Sequence, residues 1–390
     1  MSRPRRVLIV VHSYYVRDTR PRRLGAALAA AAGWEVDVIC ARDAGEARRQ
    51  RVGGVNVTRL PARRKRGSKL RYVLEYVWFT LMALLAVTAA HLRRRYRTVY
   101  VVGVPNFLVF AALVPRLLGA RVLLDMRDPL PEFFQAKYSM PAEHRLIRLL
   151  LTEERVSARF ASHVVTVHPS MARLYERSLP ASKISIVQNA PDPRLFDLPP
   201  SAAARDPADR TMLYTGTIAA HYGVDVAVRA LARLHDQVPG LRLRIVSKNV
   251  GGELPALQRL VEQLGVADLV AFDEPVPLER IPDIVATAWL GVQPGRDDPL
   301  MRYSLSAKIL EWCRLGLPVA AGETAPLLEA FPGDELLFHA PGDLDALCAR
   351  ILEAHSDPRS LATRAERAHT AASRVDYRRE MDALLEVVEG

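Results

Sequence analysis

Ser304-Leu-Ser-Ala-Lys308-Ile-Leu-Glu311-Trp-Cys-Arg-Leu-Gly316-Leu-Pro318-Val-Ala-Ala-Gly322 reads as a loop, a short helix, a tight turn and a buried strand. Ser304 or Ser306 can cap the helix, and Gly316 followed by Pro318 ends it. Lys308 and Glu311 are three apart, so they share the face near the helix start. A helix N-terminus presents unpaired N–H groups and the positive end of its dipole, which suits a diphosphate. Lys308 adds a mobile cation there, and Glu311, one turn deeper, can accept hydrogen bonds from a ribose diol. The stretch reads as a grip for a nucleotide-sugar. Its plainer reading is an amphipathic helix with a solvated Lys–Glu pair.

Strand-like runs surround this segment. Met212–Gly216, Leu243–Ser247, Leu269–Phe272, Leu290–Gln293 and Val319–Ala321 alternate with helical stretches, the rhythm of a parallel sheet covered by helices. The first half repeats the pattern with Val7–Val11, Val36–Cys40, Val55–Leu60, Val99–Val102, Val122–Asp125, His163–Val167 and Ile184–Val187, and Arg20–Ala32 reads as a helix ended by Gly33. Between the halves, residues 196–210 are rich in Pro, Ala and polar residues without periodicity, as linkers are. The expected organisation is a first domain over 1–195, a linker over 196–210 and a second domain over 211–372. A last helical stretch over 373–390 is expected to return to the first domain. The fold class is α/β, two Rossmann-like doubly wound domains facing a central cleft, with ligands at the carboxyl ends of the strands.

Composition narrows the function. The 390 residues are too many for one ordinary core. The three cysteines, Cys40, Cys313 and Cys348, have neither metal-ligand spacing nor a disulfide framework, which favours a reducing cytoplasm. Met1 to Arg6 runs directly into the first strand and leaves no room for a signal peptide. A net charge of +11 favours acidic partners, such as anionic lipid or a phosphorylated substrate, but no nucleic-acid-binding motif accompanies it. Arginine outnumbers lysine and alanine is abundant, so a GC-rich genome alone could produce the bias. Val73–Ala90 is apolar and flanked by basic residues on both sides: Arg63, Arg64, Lys65, Arg66, Lys69 and Arg71 before it, Arg93, Arg94, Arg95 and Arg97 after. It reads as a buried crossover helix, with a helix at a membrane-facing surface and a spanning helix as the alternatives.

Other charged stretches fall at strand ends. Asp125-Met-Arg127-Asp128-Pro129-Leu-Pro131-Glu132 suits a polar site: Asp128 could take a proton or orient a hydroxyl, and Arg127 could face phosphate. The plainer reading is an Asp-Pro turn with a surface ion pair. His12-Ser-Tyr14-Tyr-Val-Arg-Asp18-Thr-Arg20 follows the first strand and lacks the Gly-x-Gly-x-x-Gly of dinucleotide folds. Gly216-Thr217 ends the first strand of the second domain, where glycine permits close backbone approach. Lys248 follows the next strand.

The Lys308-x-x-Glu311-Trp-x-x-x-Gly316-x-Pro318-Val pattern resembles the donor-site signature of family 4 glycosyltransferases, which have the GT-B fold. It looks most like the subgroup that builds bacterial surface polysaccharides with N-acetylated deoxysugars. The resemblance extends to Asp18-x-Arg20, to Arg127-Asp128 with the following Pro and Glu132, to Asn189-x-x-Asp192, and to Gly216 with Gly223-x-Asp225. It implies that Glu311 binds ribose and that backbone N–H groups at Ser306 and Ala307 hold the diphosphate. Tyr303 stands where many members carry a second glutamate, and Thr217 and Tyr222 where many carry Arg and Lys. The resemblance further implies a sugar transferred from a nucleotide donor, most readily a UDP-sugar, to a glycan or lipid-linked acceptor, with retention at the anomeric carbon and no required metal. Donor contacts would then come from Gly216, Thr217, Lys248, Tyr303, Ser306, Ala307, Lys308 and Glu311, and catalysis from Asp128 and Arg127. The acceptor side would hold His12, Tyr14, Asp18 and Arg20. A nucleotide-sugar 2-epimerase of the same fold and a non-catalytic nucleotide-sugar-binding partner remain the alternatives. Peripheral contact with an anionic membrane at the cytoplasmic face is expected.

Overall fold

A computed structural model describes residues 5–31, 33–62, 69–197, 209–247 and 252–390. The chain divides into two compact units. One comprises Met1–Gln135, Met140–Asn189 and Arg378–Gly390; the other comprises Ala136–Ser139 and Ala190–Tyr377.

The first unit holds an eight-stranded sheet. Its spatial order is β3 (Arg49–Val52), β4 (Val55–Leu60), β2 (Trp34–Ala41), β1 (Arg5–Val11), β5 (Thr98–Val102), β6 (Arg121–Asp125), β7 (His163–Thr166) and β8 (Ile184–Ile186). All pairs are parallel except β3–β4. Val7 to Val11 are buried on both faces, so the central strand reads as a continuous apolar run without alternation. β3 was not foreseen: Arg49-Gln-Arg-Val has no apolar pattern because it is an edge strand, mostly exposed and blunted by charge. The Gly53-Gly54 pair, both with positive φ, turns it back onto β4.

The second unit holds a six-stranded, all-parallel sheet. The order is β11 (Val270–Asp273), β10 (Leu241–Val246), β9 (Arg210–Thr215), β12 (Leu290–Gln293), β13 (Val319–Gly322) and β14 (Leu337–His339). Only β14 escapes the sequence reading, since its three residues are too few to show a period. In each unit the order runs outward both ways from one pair of strands, β1–β5 and β9–β12. Such reversal points are where doubly wound sheets open a crevice beyond the carboxyl strand ends.

The helix Pro193–Phe196 buries Phe196 in the second unit's core beside Leu213 and Trp312, and residues 198–208 of the expected linker lie outside the described residues. The helix Tyr377–Glu389 buries Leu384 and Val388 among Val7, Ile9 and Val36 of the first unit. Thr98 Oγ1 donates to the Val388 carbonyl at 3.0 Å, and Gln188 N donates to Glu380 Oε2 at 2.6 Å.

The apolar stretch expected as a buried crossover helix behaves otherwise. It belongs to a helix of 26 residues, Lys69–Arg94, of which Phe79, Ala83 and Val87 are fully buried against the first unit. Val73, Leu74, Val77, Trp78, Leu81, Leu85 and Leu92 are exposed. From Val73 to Arg94 the helix is long and apolar enough to cross a membrane by length and composition. Burial thus accounts for one narrow stripe of its apolar character and leaves the rest unexplained by the core. The basic residues 63–66 expected beside it lie outside the described residues.

Candidate functional site

In the second unit the chemistry gathers at the β9–β12 reversal point. Strand β9 ends at Thr215, and Gly216 follows with φ of 114°, a conformation that side-chain-bearing residues rarely adopt. The turn leaves the Thr215 carbonyl pointing at the Lys308 ammonium, which donates to it at 3.0 Å. A Cβ at Gly216 would lie 3.4 Å from Lys308 Nζ. The ring centroids of Tyr214 and Tyr222 lie 4.0 and 4.7 Å from the same nitrogen, within cation–π range. Tyr214 is itself fixed, its hydroxyl donating to the Thr217 carbonyl at 2.6 Å. Burial pulls the Lys308 pKa down to about 7, while the Glu311 carboxylate pulls it upward.

The helix carrying Lys308 runs Ala307–Arg314. Ser306 occupies the N-cap position, but its side chain makes no capping bond, contrary to the expectation for Ser304 or Ser306. The first N–H groups of the helix are therefore not satisfied by a cap of their own. Trp312, one turn beyond Lys308 on the same side of the helix, anchors it. It is fully buried and lies over Gly291 of β12, where a Cβ would come within 2.8 Å of its ring. Ala307, Glu311, Ser306 and Tyr303 are half-buried and Thr217 is exposed. Lys248 lies outside the described residues. The structure thus brings Gly216, Thr217, Ser306, Ala307 and Lys308 to one strand-end turn. The two tyrosines that box the ammonium were not assigned from sequence, because nothing in a spacing of eight residues announces a shared cation. Beside the turn, Arg296 Nε donates to the Ala220 carbonyl at 3.0 Å, and its Nη2 reaches both carboxylate oxygens of Asp225 at 2.9 and 2.7 Å.

In the first unit, the ends of β1 and β6 bring together Asp18, Arg20, Asp125, Arg127 and Asp128. Arg20 makes a bidentate pair with the fully buried Asp125 at 2.7 and 3.1 Å and donates to Asn189 Oδ1 at 2.9 Å and to the Val187 carbonyl at 3.1 Å. Its guanidinium is committed to tying the first helix, Thr19–Ala30, to the ends of β6 and β8. Asp18 stands at that helix's N-cap without capping it; its carboxylate instead accepts from Arg127 at 3.2 and 3.0 Å. Burial pushes the Asp18 carboxyl up, but hydrogen bonds from Arg127, that residue's charge and a bond from Ser13 hold it below the ordinary range. Arg127 Nε lies 3.9 Å from Asp128, whose side chain is 58% exposed. Crowding by the surrounding protein raises the Asp128 pKa, the carboxylates of Asp125 and Asp18 add to this, and Arg127 opposes it. Asp128 is therefore the most open carboxyl of the group, and the one whose pKa is shifted upward. His12 packs its ring 4.5 Å from Phe79 and 4.9 Å from Tyr76, and Tyr14 is half-buried under Arg17. Glu132 is not at an open site: it is buried in an ion-pair network with Arg177, which also binds the fully buried Glu154. Sequence distance hid those partners.

Among the described residues no three His, Cys, Asp or Glu side chains cluster to hold a metal ion.

Residues 18–190 match the family model described as "Glycosyl transferase 4-like domain", and residues 209–357 match that of "Glycosyl transferases group 1". Together the two matches span most of the chain, which belongs to the glycosyltransferases assembled from these two domains. A similar curated protein is D-inositol 3-phosphate glycosyltransferase of Thermobispora bispora, 30% identical over 259 residues, or 62% of this chain and 58% of that protein. The chain thus spans less than two thirds of that relative's length. Sucrose-phosphate synthase from Thermosynechococcus elongatus superposes with a TM-score of 0.79 at 18% identity, over 99% of this chain and 98% of that one. Anabaena Alr3699/HepE in complex with UDP-glucose superposes with a TM-score of 0.72 at 15% identity, over 98% and 99%. At those identities the likeness establishes the fold, GT-B.

Proposed function

We propose that the chain is a glycosyltransferase of hexosyl type that uses a nucleotide-sugar, preferentially a UDP-sugar, and a glycan or lipid-linked acceptor. Its place is in cell-envelope or exopolysaccharide synthesis, within the surface-polysaccharide subgroup whose donor signature it resembles. The observation that carries this reading is the Lys308 ammonium, held at a strand-end turn beside an uncapped helix start. The diphosphate takes the N–H groups at Ser306 and Ala307 together with Lys308, and Glu311 takes the ribose diol. Thr217, Tyr303 and Lys248 complete the donor side. As the bond to the sugar breaks, negative charge builds on the leaving phosphate. A cation and N–H dipoles already aimed there stabilise it without reorganising, so the reaction needs no metal and no cofactor besides the co-substrate. Asp128, with Arg127 beside it, orients the transferring sugar or takes a proton, and His12, Tyr14 and Asp18 face the acceptor. Arg20 serves this site by position. The protein works in the cytoplasm, at the inner face of the membrane.

A second reading has one finding in its favour: the relative's name points to a phosphorylated inositol as acceptor. Incubation of the protein with UDP-, GDP- and dTDP-sugars, each with a glycan, a lipid-linked acceptor or inositol phosphate, tests both. Transfer from a UDP-sugar to a glycan or lipid-linked acceptor supports the proposal. Transfer confined to inositol phosphate supports the second reading. Conversion of the nucleotide-sugar without any acceptor marks a 2-epimerase, and binding without turnover marks a non-catalytic partner.

A further inference from the structure

The first unit carries an apolar surface that its own core does not use. On the helix Lys69–Arg94, the exposed Val73, Leu74, Val77, Trp78, Leu81, Leu85 and Leu92 fall on one side, within about 140° of arc at 100° per residue. The opposite stripe, Phe79, Ala83 and Val87, is fully buried. The adjoining short helix Leu113–Leu117 adds the exposed Leu113 and Leu117, and Leu118 follows it. That helix reaches a third, Arg145–Phe160, through Arg116, whose guanidinium lies 4.9 Å from the Phe160 ring.

The third helix supplies charge. Arg145, Arg148, Leu149, Thr152, Arg155, Val156 and Arg159 are exposed and lie on one face, and Glu153 and Glu154 point away from it. Arg145, Arg155 and Arg159 have no ion-pair partner among the described residues, nor do Arg93 and Arg95 at the end of the long helix. The surface is therefore an aliphatic strip with one tryptophan, rimmed by uncompensated arginines.

We infer that this surface lies in the interface of an anionic bilayer, with the Lys69–Arg94 helix parallel to the membrane plane and its Trp78–Leu85 face among the acyl chains. Aliphatic and indole groups opposite a cationic rim are the composition of interfacial helices. A second copy of the chain fits poorly, since a twofold contact would set the same arginines against one another. A spanning orientation fits poorly too, because it would strip Phe79, Ala83 and Val87 from the core they fill. The inference deepens the proposed placement at the membrane's inner face, and because its test does not use activity it can fail without touching the sugar-transfer reading.

Three of the four tryptophans, Trp34, Trp289 and Trp312, are buried, while Trp78 is 55% exposed, so quenching by lipid isolates Trp78. The full chain is mixed with phosphatidylcholine vesicles, with and without phosphatidylglycerol, carrying bromine near the headgroup or near the chain end. The expected result is binding that requires phosphatidylglycerol, with quenching stronger from the shallow bromine. Trp78→Phe should abolish the quenching while leaving flotation intact. Leu81→Glu with Leu85→Glu, and separately Arg148→Ala with Arg155→Ala, should each lower partition about tenfold. These four side chains are exposed, and an unchanged circular dichroism spectrum confirms folding. Vesicle binding without Trp78 quenching would overturn the inference. So would quenching strongest at the chain end with resistance to carbonate, which marks a spanning helix. Failure to bind vesicles together with self-association that buries Trp78 would also overturn it.

Discussion

Titrating the protein with a nucleotide-sugar at several pH values measures the state of Lys308. With a pKa of about 7, this lysine is mostly neutral at pH 8, by about nine parts in ten. A bound diphosphate supplies negative charge beside the nitrogen and raises the pKa again. Binding at pH 8 should therefore take up about 0.9 proton per donor, and binding at pH 6 about 0.1. Affinity should fall about tenfold per pH unit above 7 and level off below it. A nucleotide-sugar is the right ligand, because its diphosphate diester has no proton to exchange in this range. Burial lowers the pKa of His221, beside Tyr222, and a His221→Asn variant removes its protons from the count. Uptake is read by calorimetry in buffers of different ionisation enthalpy. Lys308→Arg, a permanent cation, should abolish both the uptake and the pH slope. The same shift acts on folding. The folded state holds the lysine below its unfolded pKa, so between pH 7 and about 10.4 the unfolded chain binds more protons and stability rises with pH through that window. Uptake near zero at pH 8, or uptake that persists in Lys308→Arg, would mean that Lys308 is not the group that takes the proton.

Further outcomes follow from the same sites. Glu311→Ala should weaken donor binding by about 1.5–3 kcal/mol, the worth of a charged hydrogen bond to ribose, with a smaller effect on melting temperature; unchanged calorimetric affinity would contradict the ribose role. Turnover should survive EDTA, and loss restored by magnesium or manganese would show that a cation does the work assigned to Lys308. Gly291→Ala should destabilise the protein by about 1–3 kcal/mol in urea unfolding, since its methyl would meet the Trp312 ring.

Much of the fold was legible because its strands are short apolar runs bounded by turns. Val55–Leu60 and Leu290–Gln293 were placed to the residue, and most other strands within two residues. What escaped was local in character: a polar edge strand, Arg49-Gln-Arg-Val, and a three-residue strand too short to have a period. The long helix misled for a physical reason. Apolar composition reports what avoids water, and a core and a lipid surface satisfy it equally; only the structure separates the buried stripe of Phe79 from the exposed one of Trp78. At the site, Lys308 and Gly216 could be named from the strand-end pattern, but not Tyr214 and Tyr222 around the ammonium. Arg20 looked like a free binding residue because its partner Asp125 is 105 positions away.

Sugar transfer itself is tested most directly by following one labelled donor to product. With a UDP-sugar and a matched glycan or lipid-linked acceptor, UDP should be released stoichiometrically and a new glycosidic bond should form whose anomeric configuration, read by NMR, is that of the donor. A labelled sugar that remains on its nucleotide across the acceptor panel, bound but untransferred or epimerised at C2, would contradict it.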